Sequence, residues 1–160
     1  MGYIPCVDIG LSLDGETYLL IHMAPAKGLP GYAATPVGDI ERVPRAEFEK
    51  ACKALLLTSM DAYIERIAPR PGEYERLGPK GQRALHRATR IVSVQLGSPW
   101  ASGDVAEFAP NHLRSNGALE GCNPGDRVRV QRDESNEAFL RALYIAFSRC
   151  RGYPAMPPRP

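Results

Sequence analysis

The side chains able to do chemistry in this chain are few and scattered. There are three histidines, His22, His86 and His112, each in a different local setting. Nucleophilic catalysis needs a nucleophile beside a base, and no spacing in the chain pairs one with the other. Cys6, Cys52, Cys122 and Cys150 are also widely separated and form no C-x-x-C pair, so they are expected to be free thiols rather than a zinc site or a disulfide framework. Asp8 and Asp14 lie in a short stretch, Cys6-Val-Asp8-Ile-Gly10-Leu-Ser-Leu-Asp14-Gly15, that resembles a metal-holding first strand of phosphoryl-transfer folds. The further carboxylates and phosphate turn such folds need are missing, which makes Asp8 a strand-end residue and Asp14 a turn former. A hydrolase or nuclease using Asp8 and Asp14, or Cys6 with a histidine, is the alternative to a non-catalytic role. No cofactor or metal is expected. Arg83, Arg87 and Arg90 are spaced to stripe one side of a short helix. No aromatic residues interleave them as a base-stacking platform requires, so they read as a solvated basic face and nucleic acid is not the expected partner; a small nucleic-acid-binding module working through these arginines stands as the third alternative.

Composition agrees with binding more than with extreme electrostatics. In 160 residues, 20 Lys and Arg oppose 18 Asp and Glu, too even a balance to demand a polyanionic or membrane partner. The first forty residues hold Asp8, Asp14, Glu16 and Asp39, while residues 41–100 are rich in arginine. No apolar run reaches the roughly 20 residues that span a bilayer, and the start has no basic, signal-like region, so the expectation is a cytoplasmic protein.

The elements that must position these residues follow from periodicity. Residues 3–9 and 17–23 read as strands joined by an Asp14-Gly15 turn, and 25–36, with its prolines and glycines, as irregular loop. Residues 37–43 return as a strand. Phe48, Cys52, Leu55, Leu56, Met60, Tyr63 and Ile67 then recur at helical spacing, predicting one amphipathic helix that ends before Pro69. A short helix over 79–89 leads into strands over 90–96 and 104–109, a loop over 111–124, a strand over 127–131, and a last helix over 134–150. Gly38-Asp39 and Gly125-Asp126 each open a similar turn, strand and helix in turn. The sum is an α+β fold: one domain over 1–152, with a mixed or antiparallel sheet of about five to seven strands against two main amphipathic helices. Residues 153–160 form a Pro-rich tail, expected to be extended or disordered.

Several segments, Arg83-Ala-Leu-His-Arg-Ala-Thr-Arg-Ile-Val-Ser-Val94, Asp104-Val-Ala-Glu-Phe-Ala-Pro110, Arg127-Val-Arg-Val-Gln131 and Asp133-Glu-Ser-Asn-Glu-Ala-Phe-Leu-Arg-Ala-Leu143, together resemble the immunity proteins of bacterial contact-dependent growth inhibition. The resemblance lies mainly in the second half and rests on packing patterns. It implies a protein that binds and neutralises a cognate toxin domain by stoichiometric occlusion, with no turnover. Trp100, Asp104, Glu107 and Glu120 are the residues expected to contact that partner, an aromatic anchor among carboxylates facing a basic cleft.

Overall fold

Apolar residues alternate along β1 (Cys6–Ser12) and through most of β6 (Thr89–Ser98), whereas β2 (Thr17–His22) is apolar at four successive positions and buries both faces; the computed structural model pairs the three side by side. It describes residues 4–25, 28, 33–34, 40–66, 79–98 and 101–157. β5 (Ile40–Pro44), β2, β1, β6 and β7 (Ala101–Leu113) lie side by side in an antiparallel sheet of seven strands. β8 (Leu119–Gly121) and β9 (Val128–Gln131) both pair with β7 and complete it. A two-residue pair, β3 (Ala24–Pro25) with β4 (Ala33–Ala34), stands apart from that sheet.

One face of the sheet carries the main core. Val7, Ile9, Leu11, Tyr18, Leu20, Val92, Val94, Ala106 and Phe108 meet Phe48 of α1 (Arg45–Lys50), Leu56 and Met60 of α2 (Cys52–Asp61), and Phe139, Leu143 and Phe147 of α4 (Asn136–Ser148). Tyr18 stacks on Phe48 with ring centroids 4.1 Å apart. The opposite face has a much smaller apolar cluster, Leu19, Ile21 and Ile91, joined by Leu85 of α3 (Pro79–Ala88).

The helix predicted from Phe48 onward is broken into α1 and α2 at Ala51, which leaves the helical region with ψ 21°. The break is capped from across the fold. Asn136 of α4 accepts the Lys53 N–H at 2.9 Å and donates to the Glu49 carbonyl at 2.9 Å, satisfying backbone groups that a helix end leaves open. Residues 111–113 and 119–121, expected as loop, extend the sheet instead: β7 runs on to Leu113 and folds back as β8 around Gly117, whose φ of +84° suits glycine. The two Gly-Asp-led units end on opposite edges of the sheet, β5 before α1 and β9 before α4.

Arg90 lies in the strand expected over 90–96 but not on the solvated basic face expected of it. It is the second residue of β6, is 1% exposed, and donates through Nη2 to the Pro154 and Ala155 carbonyls. The Tyr153 ring lies 5.7 Å from the guanidinium, and the Tyr153 hydroxyl donates to the His86 carbonyl at 2.8 Å. Tyr144 donates to the Pro157 carbonyl, and Met156 packs against the main core. Residues 153–157 are thus extended and docked. Replacing Arg90 with Met removes both tail hydrogen bonds while keeping an apolar filling. Urea unfolding should show a loss of about 1–3 kcal/mol, and trypsin should cut after Arg151 at least tenfold faster than in the parent. Equal digestion rates would mean the tail is held without Arg90.

Candidate functional site

The histidines and thiols come first, because an enzyme would use them. His22 Nδ1 lies 2.7 Å from Ser59 Oγ and His22 Nε2 lies 2.7 Å from Glu41 Oε1. With a neutral ring, Ser59 donates to Nδ1 and Nε2–H donates to Glu41, the order of a nucleophile, base and acid. Its setting is wrong for catalysis. Ser59 is 1% exposed and sits in the last turn of α2, where the helix carbonyls disfavour a developing oxyanion, whereas Glu41, the supposed buried orienter, has a 60% exposed side chain. The chain of bonds ties β2, β5 and α2 together. His86 donates through Nδ1 to the Gly117 carbonyl at 3.0 Å, and His112 Nδ1 accepts the Arg151 N–H at 3.0 Å. All three rings are therefore engaged in holding segments of the fold to one another.

Asp14 accepts from the Ser12 hydroxyl at 2.6 Å and the Glu16 N–H at 2.9 Å, which lowers its pKa and makes it the turn former expected from the sequence. The Cys6 thiol is pushed up to about 12 by burial and by the neighbouring Asp8 carboxylate, the reverse of an activated nucleophile. Burial lifts Cys52 to about 12 and Cys150 to about 11. Among the described residues, no three His, Cys, Asp or Glu side chains converge as a metal site would require.

Among the described residues, a concave surface lies elsewhere, where α2, the start of β7 and the β9–α4 turn meet. Three adjoining hollows of about 530, 380 and 280 Å³ share their walls. The first is lined by Lys53, Leu57, Asp104, Gln131, Arg132 and Asp133; the second shares Gln131, and the third shares Arg132. Local folding places them. The Arg132 N–H donates to the Asp104 carbonyl at 2.7 Å, continuing the β7–β9 ladder by one residue, and the chain then turns into α4, where Ser135 caps the helix by accepting the Ala138 N–H. The third hollow is more apolar, with Pro5, Met60, Ile64 and Leu96 in its wall. Ile64 is 63% exposed and Ile4, beside Pro5, is 40% exposed.

Charge is unbalanced on this surface. Each of its cations is engaged within the chain: Arg132 with both Asp61 oxygens at 2.9 and 3.2 Å, Lys53 with the Glu134 carbonyl at 2.5 Å, and Arg129 with Glu107 at 2.8 Å. The exposed carboxylates of Asp104, Asp133 and Glu134, and of Glu65 beside Ile64, have no side-chain partner among the described residues.

Of the four residues expected to meet a partner, the structure brings one to this surface. Asp104 is on its rim. Glu107, expected in the contact set, is 0% exposed: it faces Gln95 and Arg129 across neighbouring strands, bonds Arg129, and lies 3.8 Å from Arg127. Strand parity explains the correction, since burial of Ala106 and Phe108 on the main core turns Glu107 into the sheet's other face. Glu120 is exposed but stands opposite His112 at the far end of β7. Trp100 lies outside the described residues. Sequence reasoning missed Asp61, Ile64, Arg132 and Asp133. Ile64 alone left a signal, as an isoleucine in the helical stripe just before the proline that ends it.

No protein family matches the chain, and no curated protein matches it. Among solved structures, it is similar to one described as a protein of unknown function, NMB0488, from Neisseria meningitidis. The TM-score is 0.60 at 13% sequence identity, over 94% of this chain and 99% of that one. Likeness at that identity shows a shared fold. No helix among the described residues is long and apolar enough to cross a membrane.

The thiols give a direct check on the burial pattern. Cys122 is the least enclosed of the four: burial raises its pKa, and the neighbouring Arg127 guanidinium opposes that rise. Alkylation of the native protein at pH 8 should label Cys122 first, with Cys6, Cys52 and Cys150 reacting at least about tenfold more slowly because little thiolate forms. Peptide mapping reads the order, and early labelling of Cys6 would reopen a catalytic role for it.

Proposed function

We propose that this protein binds a cognate toxin domain and neutralises it by covering its working surface in a one-to-one complex, as immunity proteins of contact-dependent growth inhibition do. The observation that carries this reading is the unbalanced surface around Arg132. Its cations are all engaged internally, its carboxylates at Asp104, Asp133, Glu134 and Glu65 are open, and Ile64 stands exposed beside an apolar hollow. A partner that meets it best has a basic rim around an apolar contact, so that opposite charges steer encounter and the buried centre holds the complex. Inhibition by contact needs no turnover, which suits a chain whose histidines are spent on structure and whose Cys6 thiol is held protonated.

The test begins in the genome, where this reading expects a large secreted protein to be encoded immediately upstream of this chain. Co-expression with that protein's C-terminal domain should restore growth, and the two should elute as a one-to-one complex. Ile64→Asp changes an exposed side chain, so the fold should melt as the parent does while affinity falls by about 30-fold, as for a central anchor. Asp104→Lys with Asp133→Lys should slow association and remove its salt dependence. Absence of growth rescue, or full rescue by all three substitutions, would discard the toxin reading or this surface respectively.

A further inference from the structure

A second charged surface lies at the other end of β7, where α3 meets the β7–β8 turn. Arg83 and Arg87 are exposed on α3 one helical turn apart, and Arg114 is exposed in the turn. None of the three guanidinium groups has a hydrogen bond or an ion pair among the described residues. Among the described residues, the carboxylates toward this end of β7 are directed elsewhere. Asp126 is taken by Arg151, at 3.4 Å, and its carbonyl by Arg149. Glu120 is paired across the strands with His112, whose ring is bonded to the Arg151 N–H, whereas its neighbour Leu119 packs, like Leu85 of α3, against the Leu19, Ile21 and Ile91 cluster. Because successive strand residues point to opposite faces, Glu120 turns away from α3.

The patch is also held in place. His86 donates to the Gly117 carbonyl at 3.0 Å, clamping the helix onto the turn. A side chain at Gly117 would begin 3.0 Å from the Arg83 Cβ and 3.0 Å from the Arg87 guanidinium, so it is the bare glycine that allows these arginines to lie against the turn. Gly117 bonds back to the Arg114 carbonyl at 2.9 Å, and Arg114 donates to the Ala118 carbonyl at 2.9 Å, which fixes the base of the third arginine. Less backbone ordering is then left for binding.

We propose that Arg83, Arg87 and Arg114 form a binding surface for the phosphate backbone of a single-stranded nucleic acid. Planar guanidinium groups one helical turn apart suit successive phosphodiesters of one strand and give no base readout. A lipid surface fits less well, because among the described residues the exposed large apolar ones, Ile4, Ile64 and Ile145, belong to other elements and none stands beside the three arginines as an inserting anchor. The sequence pattern had offered Arg90 as the third cation. Its burial under the tail leaves that position to Arg114, which only the β7–β8 fold-back brings near.

Anisotropy of labelled dT and U dodecamers with the full chain tests this independently of any toxin. Binding at 50 mM salt should weaken on going to 200 mM, with a slope of log K against log salt of about −2 for three phosphate contacts on a single strand. The triple variant Arg83→Gln, Arg87→Gln, Arg114→Gln should lose at least tenfold in affinity with an unchanged melting temperature. Asp104→Asn with Asp133→Asn, at the other end, should bind as the parent does. Absence of binding at 50 mM salt, retention of affinity in the triple variant, or patch-dependent binding to phosphatidylserine vesicles without binding to either oligonucleotide would each overturn the proposal.

Discussion

A seven-stranded antiparallel sheet has two faces to hide, and this chain supplies apolar side chains for one of them and part of the other. The rest of the structure follows from that shortage. Helices α1, α2 and α4 cover the richer face, with aromatic contacts at Tyr18–Phe48 and Phe108–Phe139 closing the layer. On the poorer face, Leu85 of α3 covers Leu19, Ile21 and Ile91, and the remaining centre is polar: Ser93 with Asn111, then Gln95, Glu107 and Arg129 in a row across three strands. Polar groups there are tolerable because they satisfy each other, as Asn111 does by donating to both the Ile91 carbonyl and the Ser93 hydroxyl.

Buried charge is the cost of that arrangement, and it makes distant segments depend on one another. Glu107 needs Arg129, so β9, an edge strand of four residues, is held by a charge pair as well as by its ladder. Arg90 needs acceptors, and the ones it has belong to the chain's last described residues. Gly152, at φ +88° and packed against the Leu113 carbonyl, lets the chain turn toward that guanidinium immediately after α4. Proline at 154 and 157 suits a segment whose carbonyls are used and whose shape is extended.

What was legible in the sequence is what repeats. Apolar and β-branched runs located β1 and β2, alternation located β6 and β9, and the helical stripes located α2 and α4, because one-sided burial imposes a period and a strand buried on both faces an unbroken run. The break at Ala51 was not legible, since the apolar spacing continues through it and its cause, Asn136, is 83 residues from Lys53 in the chain. Nor was the fate of single charged residues. Arg90 and Arg87 look alike in sequence, yet one begins a buried strand face and the other stays on an exposed helix. Glu107 looked like its neighbour Asp104 for the same reason. Parity along β7 separates them only once the sheet shows which face Ala106 and Phe108 occupy.

The acidic and basic surfaces owe their separation to β7 itself. Asp104 stands near its start and Leu113 at its end, and at the rise of an extended strand that interval is about 30 Å. Such a distance exceeds the screening length of about 8 Å at physiological ionic strength several times over. Each end therefore presents its own sign of charge to a partner, although the chain as a whole is close to neutral at +2. The acidic first forty residues and the basic middle of the sequence do not map onto these ends. The acidic surface takes Glu65, Asp104 and the Asp133–Glu134 pair from three separate segments, gathered by the β7–β9 ladder and the α2 packing, and the basic one takes Arg114 from the second half. Net charge and its distribution along the chain were silent about binding because the strand pairing, and not the order of residues, decides which charges stand together.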